Sequence, residues 1–224
     1  MIFGSRCIFC EQIKKKQEFE FCYRFIGICR NCMSEIEKEK IMRIFDVRKP
    51  LSMVIPCTHY AGKVRHAMYQ YKFENNRAYK KLLSYVSAKK LEKWTQLKDF
   101  DAIVTLPISK ARMNERGYNQ SVFMAQTVSE MFNIPQHDEY LKRIKNVQKQ
   151  SSLKNVERIM NISGANEASP EVRGKNIILA DDIYTTGATM TEAARALKNA
   201  GANVIAGVVF AAVKCKSYNE NIFW

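Results

Sequence analysis

The chain holds 224 residues, 46% of them apolar and 26% charged, a balance that excludes a disordered or low-complexity polymer. No stretch of about 18 or more uncharged apolar residues occurs, so a membrane-spanning helix is excluded as well. Against 22 Asp and Glu stand 36 Lys and Arg, a formal net charge of +14. Each phosphate neutralised by such a surface releases condensed counterions, which favours polyanionic partners, although a lysine-rich solvated surface carries the same charge.

The opening residues, MIFGSRCIFCEQ, lack the basic, apolar and small-residue regions of a secretion signal, so a cytoplasmic protein is expected. Five of the seven cysteines fall in the first 32 residues. Cys7-x₂-Cys10 and Cys29-x₂-Cys32 enclose 18 residues, a spacing that predicts a four-cysteine zinc site. Four soft thiolates close a tetrahedral Zn²⁺ shell, which suits structure and not catalysis. Disulfides are the alternative, and they fit poorly with a chain that carries no export signal. Cys22 is a spare ligand between the pairs. Phe19, Phe21, Tyr23 and Phe25 alternate around it, placed to pack the ribbon or to stack on bases. Cys57 and Cys215 have no partner motif and read as plain buried thiols.

Ser34–Asp46 reads as a helix with a partial apolar stripe of Ile36, Ile41, Ile44 and Phe45. Prolines 50 and 56 break that pattern and predict a linker over Arg48–Cys57. Two units are therefore expected: a zinc knuckle plus helix over 1–48, and a larger domain over 59–224.

In the larger unit the signals alternate in the βα manner. Helices are predicted at Gly62–Tyr71, Arg77–Trp94, Asn119–Phe132, Ser151–Ile159 and Thr189–Ala200, the last ended by Gly201 at C′. Short apolar runs at Asp101–Ser109, Lys175–Ala180 and Asn203–Val213 read as buried parallel strands. The fold class is α/β, a mostly parallel sheet flanked by helices on both faces.

The chemistry concentrates in IILADDIYTTGAT, Ile177–Thr189. An apolar strand ends in two acids, then Thr185, Thr186, Gly187, Ala188 and Thr189 lead into a helix. Amides in a turn feeding a helix N-terminus attract an anion, glycine lets the backbone approach, and threonine hydroxyls donate to phosphate oxygens. Asp181 and Asp182 are suited to accept from sugar hydroxyls or to order waters about a metal ion. An Asx turn with an N-cap accounts for one acid and one threonine, but not for the whole run.

Before it, the stretch Pro107–Ser121 crowds Lys110, Arg112 and Arg116 into a predicted loop at a strand's carboxyl end, where a pyrophosphate could sit opposite. Taken singly, each of these cations is equally well a solvated loop residue.

The acidic pair and Thr/Gly loop resemble the phosphoribosyl pyrophosphate (PRPP) signature of type I phosphoribosyltransferases. That resemblance implies Asp181 and Asp182 on the ribose hydroxyls, and Thr185, Thr186, Gly187, Ala188 and Thr189 around the 5′-phosphate. Mg²⁺ would ride mostly on the ligand. The knuckle, YKF at Tyr71–Phe73, and Pro107, Arg112, Arg116, Gly117, Asn119 and Gln120 in PxxxxRxxxRGxNQ resemble the competence protein F family, as do Arg143, Gln150, Leu153, Arg158, Asn161 and Gly164. Val147 and Asn166 depart from it, where Thr and Phe are common. The resemblance implies a PRPP-site protein that handles single-stranded DNA in natural transformation, with the helicase-like protein ComFA as partner. The alternative is an active phosphoribosyltransferase acting on a nucleobase-like acceptor. Enzyme activity stays open, because the sequence offers no recognisable acceptor pocket: Gly164–Lys175 is only a short polar loop, and the three histidines form no proton-transfer motif. Candidate DNA contacts pair basic residues of Lys63–Lys72 with Tyr69 or Tyr71.

Overall fold

A computed structural model of the protein describes residues 5–15, 27–38, 49–73, 78–145 and 164–213. Its centre is a four-stranded parallel sheet in the order β3-β8-β7-β4, formed by Met53–His59 (β3), Ala102–Thr105 (β4), Ile177–Tyr184 (β7) and Ile205–Ala212 (β8). The two central strands are near-continuous apolar runs because helices cover both faces, as parallel sheets require. All eight residues of β8 are buried. Gly207 within it lets helix α6 (Ala188–Asn199) lie close, since a Cβ there would strike Met190 and touch Val54.

On one face α2 (Gly62–Phe73), α3 (Ala78–Leu91) and α5 (Val122–Phe132) cover the sheet, with Met68, Leu83, Phe123 and Met124 packed against Ile103, Ile178, Val208 and Phe210. Phe123 meets Phe210 edge-on at 6.1 Å between ring centres, a favoured quadrupole geometry. On the other face Ala193, Ala194 and Leu197 of α6 pack on Val104, Leu179 and Val209. Gly201 (φ 99°) follows the C-cap Ala200 of α6, where the sequence places it.

Residues 53–57, expected in the linker, instead belong to the edge strand β3, with Pro56 in register against Val209. An edge strand bonds a neighbour on one side only, so a proline without N–H is tolerated there. The N-terminal hairpin, β1 (Ser5–Arg6) and β2 (Ile13–Lys14), and α1 (Arg30–Lys38) do not stand apart. Phe9, Ile28, Met33 and Ile36 share one buried cluster with Val64, Ala67, Met68 and Leu82 of α2 and α3. Tyr79 Oη donates to the Ile8 carbonyl, and Lys90 Nζ to that of Glu37. The helix expected over Ser34–Asp46 ends as described at Lys38, and its remainder, like Cys22, Cys215 and Ser151–Ile159, lies outside the described residues.

Phe123 is the pivot of the larger cluster, touching Tyr71 as well as Phe210. Phe123→Ala is expected to lower unfolding free energy by about 3–5 kcal/mol, read from denaturant or thermal unfolding.

Candidate phosphate-binding site and metal centre

Because every strand of the sheet is parallel, the carboxyl ends of β3, β4 and β7 open on one edge, the edge where such sheets bind ligands. Strand β7 runs four residues beyond the predicted Ala180, so Asp181 and Asp182 lie within it and not in the loop. The strand continues because β8 extends alongside, pairing Asp181 with Val209 and Tyr184 with Ala212. Thr185, Thr186 and Gly187 then turn into α6. Gly187 adopts φ 73° and caps the helix without a side chain, and an added Cβ would run into the Tyr184 ring and hydroxyl. The start of α6 thus borders a small open cleft lined by Asp181 and by Ile183 to Met190, with the Ala188 amide donating to Thr186 Oγ1 at 3.4 Å.

The two acids are treated differently. Asp181 lines the cleft, while its carboxylate is enclosed and accepts from Ser121 Oγ at 2.7 Å and from the Asp182 amide at 2.8 Å. Burial, and then the charge of Asp182, push its pKa up to about 7 against the opposing pull of Ser121. Asp182 is 8% exposed and is held by Lys72 Nζ at 2.8 Å. Breaking so enclosed a pair from one side strands a charge, which is costly. Lys72 is aimed by its neighbour Tyr71, which is buried against Phe123 and Tyr118, each 5.5 Å away between ring centres. The Tyr118 hydroxyl donates to the Tyr71 carbonyl. Tyr71 is 3% exposed and cannot stack on a nucleic acid, whereas Tyr69 is 52% exposed.

The basic segment is a short helix, α4 (Lys110–Arg116), and not a loop: Ser109 Oγ accepts from the Arg112 amide and Gly117 closes it at φ 74°. The following Asn119, Gln120 and Ser121 each fix one piece of the edge. Asn119 donates to the Leu106 carbonyl at the end of β4, Gln120 accepts from Arg116 Nη1 at 2.8 Å, and Ser121 holds Asp181. A turn of hydrogen-bonding side chains therefore ties the basic helix to the acidic strand. Arg116 also lies over the Phe73 ring at 4.9 Å, and its Nε has no acceptor among the described residues. Lys110 and Arg112 are exposed. Arg112 approaches Arg143, at the end of β5 (Leu141–Arg143), whose pKa is lowered first by burial and then by that second charge. Asn166, in β6 (Asn166–Ala168), pairs with Arg143 and is 7% exposed with no hydrogen-bond partner for its amide among the described residues. Sequence reasoning missed Lys72 and Ser121 as site residues. Their signals were the central position of YKF for Lys72, which counted only among the candidate DNA contacts, and the place of Ser121 directly after RGxNQ.

Cys7, Cys10, Cys29 and Cys32 converge, with all four Sγ atoms within 4.8 Å of one another. Around a metal with Zn–S bonds of about 2.3 Å, tetrahedral sulfurs stand about 3.8 Å apart, so the cluster fits a metal such as zinc. A hydrogen bond from Cys32 lowers the Cys7 thiol below its ordinary value, and Cys32 is raised in turn. Lys63 Nζ lies 4.0 Å from Cys32 Sγ and 2.8 Å from Glu35. Cys57 is a buried thiol, pushed up to about 12 by burial. No helix among the described residues is long and apolar enough to cross a membrane.

The parallel α/β sheet flanked by helices is a phosphoribosyltransferase-like fold, to which a four-cysteine cluster is attached, and residues 118–223 match the phosphoribosyl transferase domain family. The chain is 27% identical over 218 residues to competence protein F of Haemophilus influenzae, covering 91% of this chain and 95% of that one. It is 39% identical over 99 residues to competence protein ComFC of Bacillus subtilis, 44% of this chain and 39% of that protein. It is 26% identical over 159 residues to the DNA utilization protein YhgH of Escherichia coli, 70% of each chain. These similarities support the resemblance to the competence protein F family.

Protein purified without chelator is expected to carry about one metal ion per chain by elemental analysis, with Cys10→Ser losing both the metal and part of the thermal stability. Metal-free parent protein would remove the assignment.

Proposed function

We propose that the chain binds PRPP, or a related ribose 5-phosphate ligand carrying Mg²⁺, at the end of β7, and that it handles single-stranded DNA during DNA uptake. The observation that carries the first half is the cleft itself, where Asp181 and Thr185 to Thr189 line one space. In this reading the threonine hydroxyls and helix amides take the 5′-phosphate, and Asp181 accepts from a ribose hydroxyl. Asp182 keeps Lys72 beside it, so the pair presents less net charge to an anionic ligand than two free carboxylates would. Arg116, with Lys110 and Arg112 on the same helix, faces the pyrophosphate end. The second half draws on the relatives named for competence and DNA utilization, and on the net charge of +14. ComFA is the expected protein partner by family resemblance.

Titration calorimetry with Mg²⁺ and PRPP tests the site. Asp181→Asn/Asp182→Asn is expected to weaken binding at least tenfold, and unchanged affinity would overturn the assignment. Nucleobase-dependent release of pyrophosphate would replace binding by transfer as the chain's activity.

A pH signature follows from Asp181. The folded chain holds its proton up to about pH 7, above the ordinary 3.8, so unliganded stability falls as pH rises between those values. A sugar hydroxyl needs the carboxylate as acceptor, so affinity rises about tenfold from about pH 6 to about pH 8. Measured over that range, the rise is expected to flatten in Asp181→Asn relative to the parent.

A further inference from the structure

Helix α2 buries Val64, Ala67, Met68 and Tyr71 and turns a second face outward. That outer face carries Arg65, Tyr69 and Phe73 at four-residue spacing, so the three side chains lie one above another. Tyr69 is 52% and Phe73 48% exposed, with ring centres 5.1 Å apart and planes tilted by 39°. The Arg116 guanidinium extends the row from Phe73. The sequence of α2, GKVRHAMYQYKF, contains three Lys or Arg and no acid. Two neighbouring aromatic rings left in water between cationic groups are poorly explained by packing, because the apolar face of this helix is already filled.

We infer that Tyr69 and Phe73, flanked by Arg65 and Arg116, form a base-stacking platform for single-stranded DNA beside the phosphate cleft. The inference rests on the DNA-handling reading above and gives it a surface. Aromatic rings accept any base on their π-faces, while arginines neutralise the phosphates between them. Bases must be unpaired to reach such rings, which selects a single strand over a duplex. Arg116 links the platform to the cleft through Gln120, next to Ser121 and Asp181. Tyr71, one residue from Lys72, is excluded from the platform by its burial.

The test uses the full chain and fluorescence anisotropy with a labelled oligothymidylate, an abasic oligomer of equal length and an oligouridylate. The parent is expected to bind oligothymidylate more tightly than the abasic strand. Tyr69→Ala/Phe73→Ala should lose about tenfold or more on oligothymidylate and little on the abasic strand, erasing the preference. Tyr69→Phe/Phe73→Tyr, which keeps both rings, should retain it. The unfolding midpoint should stay at the parent value, since both side chains are half exposed, and Tyr69→Ala alone, which leaves the Phe73 ring under Arg116, should keep parent PRPP affinity. A preference that survives the alanine pair overturns the platform and leaves DNA handling standing. A parent that binds no oligothymidylate overturns DNA handling, and the platform with it. Tighter binding of oligouridylate overturns the assignment to DNA.

Discussion

The contact on which the ligand edge depends is the hydrogen bond from Ser121 to Asp181, made near the end of a parallel strand at the wall of the cleft. An aspartate enclosed beside a second aspartate is electrostatically unfavourable, and the surroundings answer in three ways. Ser121 and a backbone amide satisfy the first carboxylate, Lys72 neutralises the second, and a proton on Asp181 is retained to about neutrality. These devices come from distant parts of the chain: α2, the turn after α4, and β7. Each is held by its own neighbours, Tyr71 by Tyr118 and Phe123, and Ser121 by Asn119. Preorganisation of the edge is thus a property of the packed core beneath it.

Helix α2 connects that edge to the cysteine cluster. One end carries Lys63 on Glu35 and close to Cys32, with His66 on Glu11; the other carries Lys72 on Asp182. The exposed pairs contribute little, on the order of 1 kcal/mol or less each. Rigidity comes instead from the buried cluster that Met33 and Ile36 share with Val64, Ala67 and Met68. A metal that orders the cysteine knuckle therefore supports the helix that places Lys72, without any contact between metal and ligand.

Much of this was legible in the sequence, and the exceptions have physical reasons. The strand–acid–threonine–glycine order and the paired C-x₂-C spacings located the cleft and the cysteine cluster, because both rest on local chain geometry. The first five residues of strand β3 were read as linker because Pro50 and Pro56 are strong local breakers, yet an edge strand needs hydrogen bonds on one side only. Asp181 and Asp182 were placed after their strand because polar residues end an apolar run, whereas pairing to β8 carries β7 past them. Tyr69 and Tyr71 were treated alike, although the stripe of Val64, Ala67, Met68 and Tyr71 already sets the helix phase and turns Tyr69 outward. The Lys72–Asp182 and Ser121–Asp181 contacts join residues 110 and 60 positions apart, and no local pattern encodes such pairs.

Arg116 stands where the two proposed surfaces meet, and its chemistry decides whether they compete. A guanidinium offers donors along its edges and a separate attraction across its face. Here the face lies on Phe73, one edge donor is on Gln120, and Nε has no acceptor among the described residues. An anion held by guanidinium N–H groups other than the one on Gln120 does not need the face that lies on Phe73, and a base stacking beyond Phe73 does not need those donors. Occupancy of both surfaces at once is therefore sterically and electrostatically compatible at this residue. Coupling between them would require Arg116 to have two positions, and its hydrogen bond to Gln120, itself buried and adjacent to Ser121, argues for one.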